Sequence, residues 1–206
     1  VRNDINVEQF NGGLAALIDI RDTEHPVLVS TQPVPGNITT SRLTRGMGGD
    51  ALFVVANSWD DNGSTTILRS FSVETSDTVE LTPASEVDLG GYVADIQATP
   101  STLLIARQQG WWHNDNDWEG TYVSLIDISD PSGRVVEGGD VQVRGYVRRK
   151  TDMHIKNGVL RVVSSDWDMG SSVATWNIDD IQNPVPIDDA LFGEGEDLYA
   201  SLFMGD

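Results

Sequence analysis

Tyr122-Val123-Ser124-Leu125-Ile126-Asp127-Ile128-Ser129-Asp130-Pro131 reads as a strand that enters an Ile-Asp-Ile phrase and is stopped by Asp and Pro. The phrase recurs as Ile18-Asp19-Ile20-Arg21-Asp22-Thr23-Glu24-His25-Pro26 and as Asn177-Ile178-Asp179-Asp180-Ile181-Gln182-Asn183-Pro184. Phe71-Ser72-Val73 is a weaker copy without the Asp or the Pro. The stop has a physical reason: Asp closes an Asx turn, and Pro fixes φ while withdrawing a donor from the ladder. A structural role is therefore expected for these aspartates.

The last apolar residues of the four copies, Ile20, Val73, Ile128 and Ile178, are 53, 55 and 50 residues apart. Turn glycines at Gly36, Gly91, Gly145 and Gly195 keep the same step. So do the apolar runs Leu52-Phe53-Val54-Val55-Ala56, Leu103-Leu104-Ile105-Ala106 and Val159-Leu160-Arg161-Val162-Val163. Short segments rich in Val, Ile, Leu, Thr and Tyr lie between Gly, Asn, Asp and Pro clusters, and none carries a helical stripe.

A step of about fifty residues made of short strands is the period of propeller blades. The expected fold is all-β: an incomplete β-propeller of about 3.5–4 four-stranded antiparallel blades. The approximate repeats are 1–36, 37–91, 92–145, 146–195 and 196–206 within a single propeller. In each, one strand follows the glycine (residues 92–99, for example). The apolar run, a strand entering the phrase (122–128) and a last strand (135–143) complete it.

The chain opens inside a third strand, around residues 14–20, and stops near Ser201-Leu202-Phe203-Met204-Gly205-Asp206. Open blade edges are sticky. The expectation is a fragment of a longer protein, with the rest of the propeller or another chain needed to close the ring.

The Ile-Asp-Ile-x-Asp-x-x-x-Pro phrase resembles the repeat of bacterial surface propellers. The stretch Gly145-Tyr146-Val147, Asn157-Gly158-Val159-Leu160-Arg161-Val162-Val163 and Gly193-Glu194-Gly195-Glu196-Asp197-Leu198-Tyr199-Ala200-Ser201-Leu202-Phe203-Met204-Gly205-Asp206 is similar to the secreted β-propeller domain family of bacteria and archaea. The likeness is specific over residues 145–206 and repeat-level before them. It implies a propeller exported to the periplasm, cell surface or medium, with no catalytic residues to carry over.

Acidic residues outnumber basic ones 32 to 13, for a formal charge of -19, and Lys150 and Lys156 are the only lysines. Such a surface repels phosphate backbones, so nucleic acid is not an expected partner. Salt adaptation, cation binding and plain solubility each account for the acidity. There is no cysteine, hence no disulfide, thiolate metal site or cysteine nucleophile. No apolar run approaches the roughly 18 residues of a membrane span, so membrane insertion is not expected.

Five of the six tryptophans fall in three segments that join second to third strands. These are Asn57-Ser58-Trp59-Asp60-Asp61-Asn62-Gly63-Ser64, Gly110-Trp111-Trp112-His113-Asn114-Asp115-Asn116-Asp117-Trp118-Glu119-Gly120 and Ser164-Ser165-Asp166-Trp167-Asp168-Met169-Gly170-Ser171. Loops on a rigid scaffold commonly carry function, and Trp offers a broad apolar platform. The candidate ligand-binding residues are Trp59, Trp111, Trp112, Trp118, Trp167 and His113. The candidate metal ligands are Asp60, Asp61, Asn62, Asp115, Asn116, Asp117, Asp166 and Asp168. Hard oxygens in Gly-bearing loops suit Ca²⁺, although none of the three segments has the twelve-residue EF-hand pattern.

The three histidines share no ligand spacing, and neither a nucleophile elbow nor a phosphate-cradling glycine loop is present. Arg148-Arg149-Lys150, with Asp152 and His154 close behind, is the one basic cluster, expected on an innermost strand. A binding or scaffolding module for a protein, glycan or cation is the leading expectation, and an enzyme the lesser one. Its alternatives are a polysaccharide hydrolase using a carboxylate pair on the same face and a purely structural repeat module. Calcium bound by the acidic segments raises the thermal midpoint by mass action. It must do so beyond sodium at matched ionic strength; equal effects of the two ions remove the metal site.

Overall fold

The computed structural model of the chain describes residues 11–46, 49–60, 63–74, 79–108, 120–166, 170–193, 196 and 198–204. Their strands are β1 (Gly12–Asp19), β2 (Val27–Pro35), β3 (Asn37–Gly46), β4 (Gly49–Asp60), β5 (Gly63–Glu74), β6 (Glu80–Asp88) and β7 (Tyr92–Ala98). There follow β8 (Thr102–Gln108), β9 (Thr121–Asp127), β10 (Val136–Val143), β11 (Met153–Lys156), β12 (Val159–Asp166), β13 (Gly170–Asn177) and β14 (Val185–Phe192). One 3₁₀ turn, Lys150–Asp152, precedes β11, and no α-helix occurs among the described residues.

The strands pair in chain order. β1 and β2 form a two-stranded sheet; β3–β6, β7–β10 and β11–β14 form three four-stranded antiparallel sheets. These are the blades of an incomplete propeller, three whole and one half, as the repeat predicts. The phrase-bearing strands β1, β5, β9 and β13 hold the same place in each sheet, third of four or first of the half sheet.

The chain divides into two compact units. One runs to Leu89 and takes in Ser129–Val135; the other holds Gly90–Ile128 and the chain from Val136 onward. In the first unit, Ala15 and Val34 of the half sheet pack on Val54, Ala56, Phe71 and Leu81 of the second sheet. Polar ties flank this core: Gln32 Nε2 donates to the Leu81 carbonyl at 2.8 Å, and Arg69 Nη1 to the Pro33 carbonyl at 3.0 Å.

In the second unit, Leu104, Ala106, Val123, Leu125, Val141 and Val143 of the third sheet meet Met153, Leu160, Val162, Trp176 and Ile178 of the fourth. Burying each large side chain of this kind stabilises the fold by about 1.5–3 kcal/mol. The apolar run of β8 is buried along its whole length, which explains why its sequence does not alternate.

Two kinds of backbone device place the strands. The outermost strands β2, β6, β10 and β14 each break register at a corresponding point, near Val29, Ala84, Gly138-Gly139 and Ile187. Such bulges add twist to an edge. At Gly138 a Cβ would lie 2.6 Å from the Ile181 carbonyl oxygen, and Gly139 N–H donates to that same oxygen at 2.6 Å. The turn after β13 is thereby seated on the bulge of β10.

Gly145, which carries the chain from the third sheet to the fourth, has φ +70°, and a Cβ there would lie 2.5 Å from the Ser165 carbonyl oxygen. Gly90, with φ +66°, has open space where its Cβ would be. Gly145→Ala should therefore lower stability by about 2 kcal/mol or more, and Gly90→Ala by about 1 kcal/mol from backbone strain alone. Urea unfolding of the two variants measures the difference.

Candidate functional site

Two of the segments read from sequence as loops between second and third strands, 57–64 and 164–171, are strand wherever they are described. β4 continues through Trp59 and Asp60, with Trp59 opposite Ser64 and Asp60 opposite Gly63. β12 likewise runs to Asp166, opposite Gly170. Polar residues kept these stretches from reading as strand, yet the ladder holds them because their side chains are satisfied inside it. Asn57 is buried and its Nδ2 donates to Thr39 Oγ1 at 3.1 Å; Ser164 and Ser172 hydroxyls meet at 2.8 Å. In each unit the apolar interior thus gives way at this end of the sheets to buried polar side chains, with Thr66 in the first and Gln108, Thr121, Ser165 and Ser171 in the second.

Within the second unit, two hairpins share this end. Thr121 Oγ1 donates to the Gly145 carbonyl at 2.8 Å and accepts from Val147 N–H at 3.3 Å. Tyr146 and Ser165 then exchange backbone hydrogen bonds at 2.8 and 3.1 Å. The beginning of β9 and the end of β12 are held side by side.

Of the candidate ligand-binding residues, Trp59 is 51% exposed at the end of its hairpin. Trp111, Trp112, His113, Trp118 and Trp167 lie outside the described residues, as do Asp61, Asn62, Asp115, Asn116, Asp117 and Asp168. Asp60 is described by its backbone, and Asp166 closes β12, partly exposed. Among the described residues no three His, Asp or Glu side chains gather as metal ligands do. Trp176, the tryptophan outside the three segments, is buried in the core of the second unit.

The basic cluster differs from expectation: Arg148, Arg149 and Lys150 lie in a bend and the 3₁₀ turn, ahead of the innermost strand. Carboxylates impose the turn by capturing backbone donors. Asp152 Oδ2 accepts from Arg149 N–H at 3.0 Å, and Asp95 Oδ2 from Lys150 N–H at 2.8 Å. The last described segment lies on this turn. Ser201 Oγ donates to Asp152 Oδ1 at 2.5 Å, Arg149 Nη1 to the Tyr199 carbonyl at 2.8 Å, and Phe203 stacks on His154 with centroids 5.0 Å apart. Burial, with Arg161 and Lys156 nearby, holds the His154 pKa below its ordinary value.

Two arginines escaped the sequence reading. Arg107, at the end of the apolar run of β8, is buried; its Nε donates to Ser124 Oγ at 2.8 Å and its Nη2 to Asp140 at 2.5 Å. Its guanidinium lies 5.6 Å from the Tyr122 ring centroid, in cation–π range. Arg69 on β5 pairs with Glu86, directly opposite it on β6. A single charged residue at the rim of an apolar stretch was the available signal.

The phrase aspartates do what the turn argument requires. Asp22, Asp130 and Asp180 each accept the backbone N–H two residues on, at 3.0, 2.8 and 2.9 Å. Each also accepts a third-neighbour or second-neighbour side chain: His25, Ser132 or Asn183. These bonds hold all three carboxyls below the usual carboxylate pKa.

Among the described residues, grooves large enough for a small ligand include two lined by carboxylates. One, of about 420 Å³ in the second unit, has Asp188 and Asp189 among its lining residues. Consecutive strand residues point to opposite faces, so these two carboxylates do not converge on one bond. The other, of about 340 Å³ in the first unit, has Glu86, which Arg69 already engages.

Four-stranded antiparallel meanders repeated along the chain, with polar hairpin ends, define a β-propeller module. The family described as Beta propeller domain matches residues 54–206, and the chain belongs to it. No curated protein matches the chain.

Asp19 accepts Arg21 Nε and Nη2 at 2.9 and 2.5 Å, and this pairing lowers its pKa to about 2. A depressed carboxyl pKa stabilises the fold above the unfolded value of about 3.9, and that contribution is lost as pH falls towards 2. Arg21→Ala should return the Asp19 carboxyl towards the ordinary range, read by an NMR pH titration. An unmoved Asp19 would show that the pairing is absent in solution.

Proposed function

We propose that the chain is an exported propeller module that binds a glycan or protein partner at the hairpin end of its sheets. The observation that carries this reading is Trp59, half exposed at the end of a hairpin whose neighbouring polar groups are locked. A rigid aromatic platform binds with little loss of conformational freedom, and Trp is the residue type most enriched at binding hot spots. The ring suits the apolar face of a sugar or an apolar side chain.

Export rests on the resemblance of residues 145–206 to secreted propellers. In the binding reading the chain acts by presentation and performs no bond chemistry.

A carbohydrate array and a surface-display pull-down identify the ligand, and Trp59→Ala tests the site. The variant should weaken binding about tenfold or more, the scale of a hot-spot truncation. Its stability should stay within about 0.5 kcal/mol of the parent, as for other exposed positions. Undiminished affinity in the variant would remove Trp59 from the site and the reading with it.

A further inference from the structure

The three four-stranded sheets repeat a carboxylate at one register position. Four residues before the last apolar residue of each phrase stand Arg69, Ser124 and Ala174, on β5, β9 and β13. Directly opposite them on the outermost strands are Glu86, Asp140 and Asp189.

In the second and third sheets an arginine of the same sheet answers that carboxylate. Arg69 pairs with Glu86 and extends Nη1 to the Pro33 carbonyl at 3.0 Å. Ser124 cannot pair with a carboxylate as an ion, and Arg107 reaches over it from β8, donating Nε to Ser124 Oγ at 2.8 Å and Nη2 to Asp140 at 2.5 Å.

The fourth sheet has neither arginine. Ala174 stands at the place of Arg69. Arg107 lies opposite Tyr122, and the residue at its place in the fourth sheet is Ser164, opposite Ser172. The Ser164 hydroxyl is taken by that of Ser172 at 2.8 Å. No ion pair among the described residues engages Asp189.

The groove of about 420 Å³ lies where the arginine is missing. Ala174, Trp176, Pro186 and Asp189 line it, and they hold the places of Arg69, Phe71, Pro83 and Glu86. Ala174 and Trp176 pack towards the third sheet. Residues directly opposite in an antiparallel pair share a face, so Asp189 stands on the groove side with Ala174. Val143 and Arg144 bound the groove from the third sheet, and both walls belong to whole sheets of the second unit.

We propose that this groove binds an arginine side chain brought by a partner, which takes the part that Arg69 and Arg107 play in the other sheets. The guanidinium fork meets the Asp189 carboxylate in charge-assisted hydrogen bonds. The apolar stem of the side chain lies along Trp176 and Val143, as arginine stems do on apolar surface. Guanidinium is preferred to ammonium because the chain itself answers this carboxylate with arginine in both other sheets, and because the planar fork fits a carboxylate in two bonds at once. A net charge of -19 draws a cationic partner towards the chain. The groove lies at the outer strands, so it stands apart from Trp59 at the hairpin end, and either site can fail without the other.

The test is a titration of N-acetyl-arginine amide into the isotope-labelled chain, followed by NMR, with the citrulline and lysine counterparts as comparison probes. The arginine probe should give saturable shifts of the Trp176 indole N–H and of the Ala174 and Asp189 amides. Citrulline amide, nearly the same shape without the charge, should bind about tenfold more weakly or worse, and lysine amide more weakly than arginine. Asp189→Asn, at an exposed position, should weaken the arginine probe by about tenfold or more, the scale of a hydrogen bond to a charged group. Ala174→Arg supplies the missing guanidinium from within and should block the probe. Amide spectra that otherwise match the parent confirm that both variants fold. A parent without saturable shifts at these residues overturns the proposal. So does equal binding of either comparison probe, undiminished binding in Asp189→Asn, or binding that survives in folded Ala174→Arg.

Discussion

A four-stranded sheet whose middle strands are apolar on both faces cannot stand alone in water. The remaining features of this molecule follow from the need to lay such sheets on one another. Phe53, Leu104 and Leu160 have no exposure, and each sits on a middle strand whose neighbours supply hydrogen bonds but leave the faces to be covered. The half sheet covers one face of the second sheet, and the third and fourth cover each other. Glycine crossings, seated turns and cross-strand arginines all serve that stacking: they set the distance and rotation at which one apolar face meets the next.

Polar groups are concentrated towards the two ends of the strands, with the Arg107–Ser124–Asp140 set as an exception further in. At one end, local Asx turns built on Asp22, Asp130 and Asp180 close the third strands with bonds to neighbours two or three residues away. At the other, each unit buries polar side chains beneath its hairpin ends, Asn57 and Thr66 in the first and Thr121, Ser164 and Ser172 in the second. In the first unit the Asn57–Thr39 bond fixes where Trp59 projects, because the backbone under it has few alternative hydrogen-bond arrangements. An end built this way holds a ligand platform still without any contribution from the tip itself.

What was legible in the sequence was whatever local chemistry determines. Asp130 and Pro131 announce a turn regardless of the fold around them, and Leu103-Leu104-Ile105-Ala106 announces a strand buried on both faces. The extent of the hairpins was not legible, since Asn57, Ser58 and Asp60 look like loop residues and are held in a ladder by partners such as Thr39, 18 residues away. The turn at Lys150–Asp152 was hidden for a similar reason, its donor being captured by Asp95 from 55 residues away. Exposure was the least legible quantity. Ile18 and Phe71 hold the same place in the phrase, and the half sheet packed on Phe71 is what separates their exposure. Trp59 was found because tryptophan near an acidic turn is conspicuous, whereas Arg107 was passed over because its partners Ser124 and Asp140 come from other strands.

The register breaks on the outermost strands also bear on how the protein behaves when concentrated. Pro33 and Pro35 on β2, Pro83 on β6 and Pro186 on β14 each delete a backbone donor from a rim strand, and β10 carries a glycine pair at its bulge. A foreign extended segment laid along such a rim finds gaps and a local twist where it needs an even row of partners. Growth of amyloid-like ladders from the periphery is thereby obstructed strand by strand.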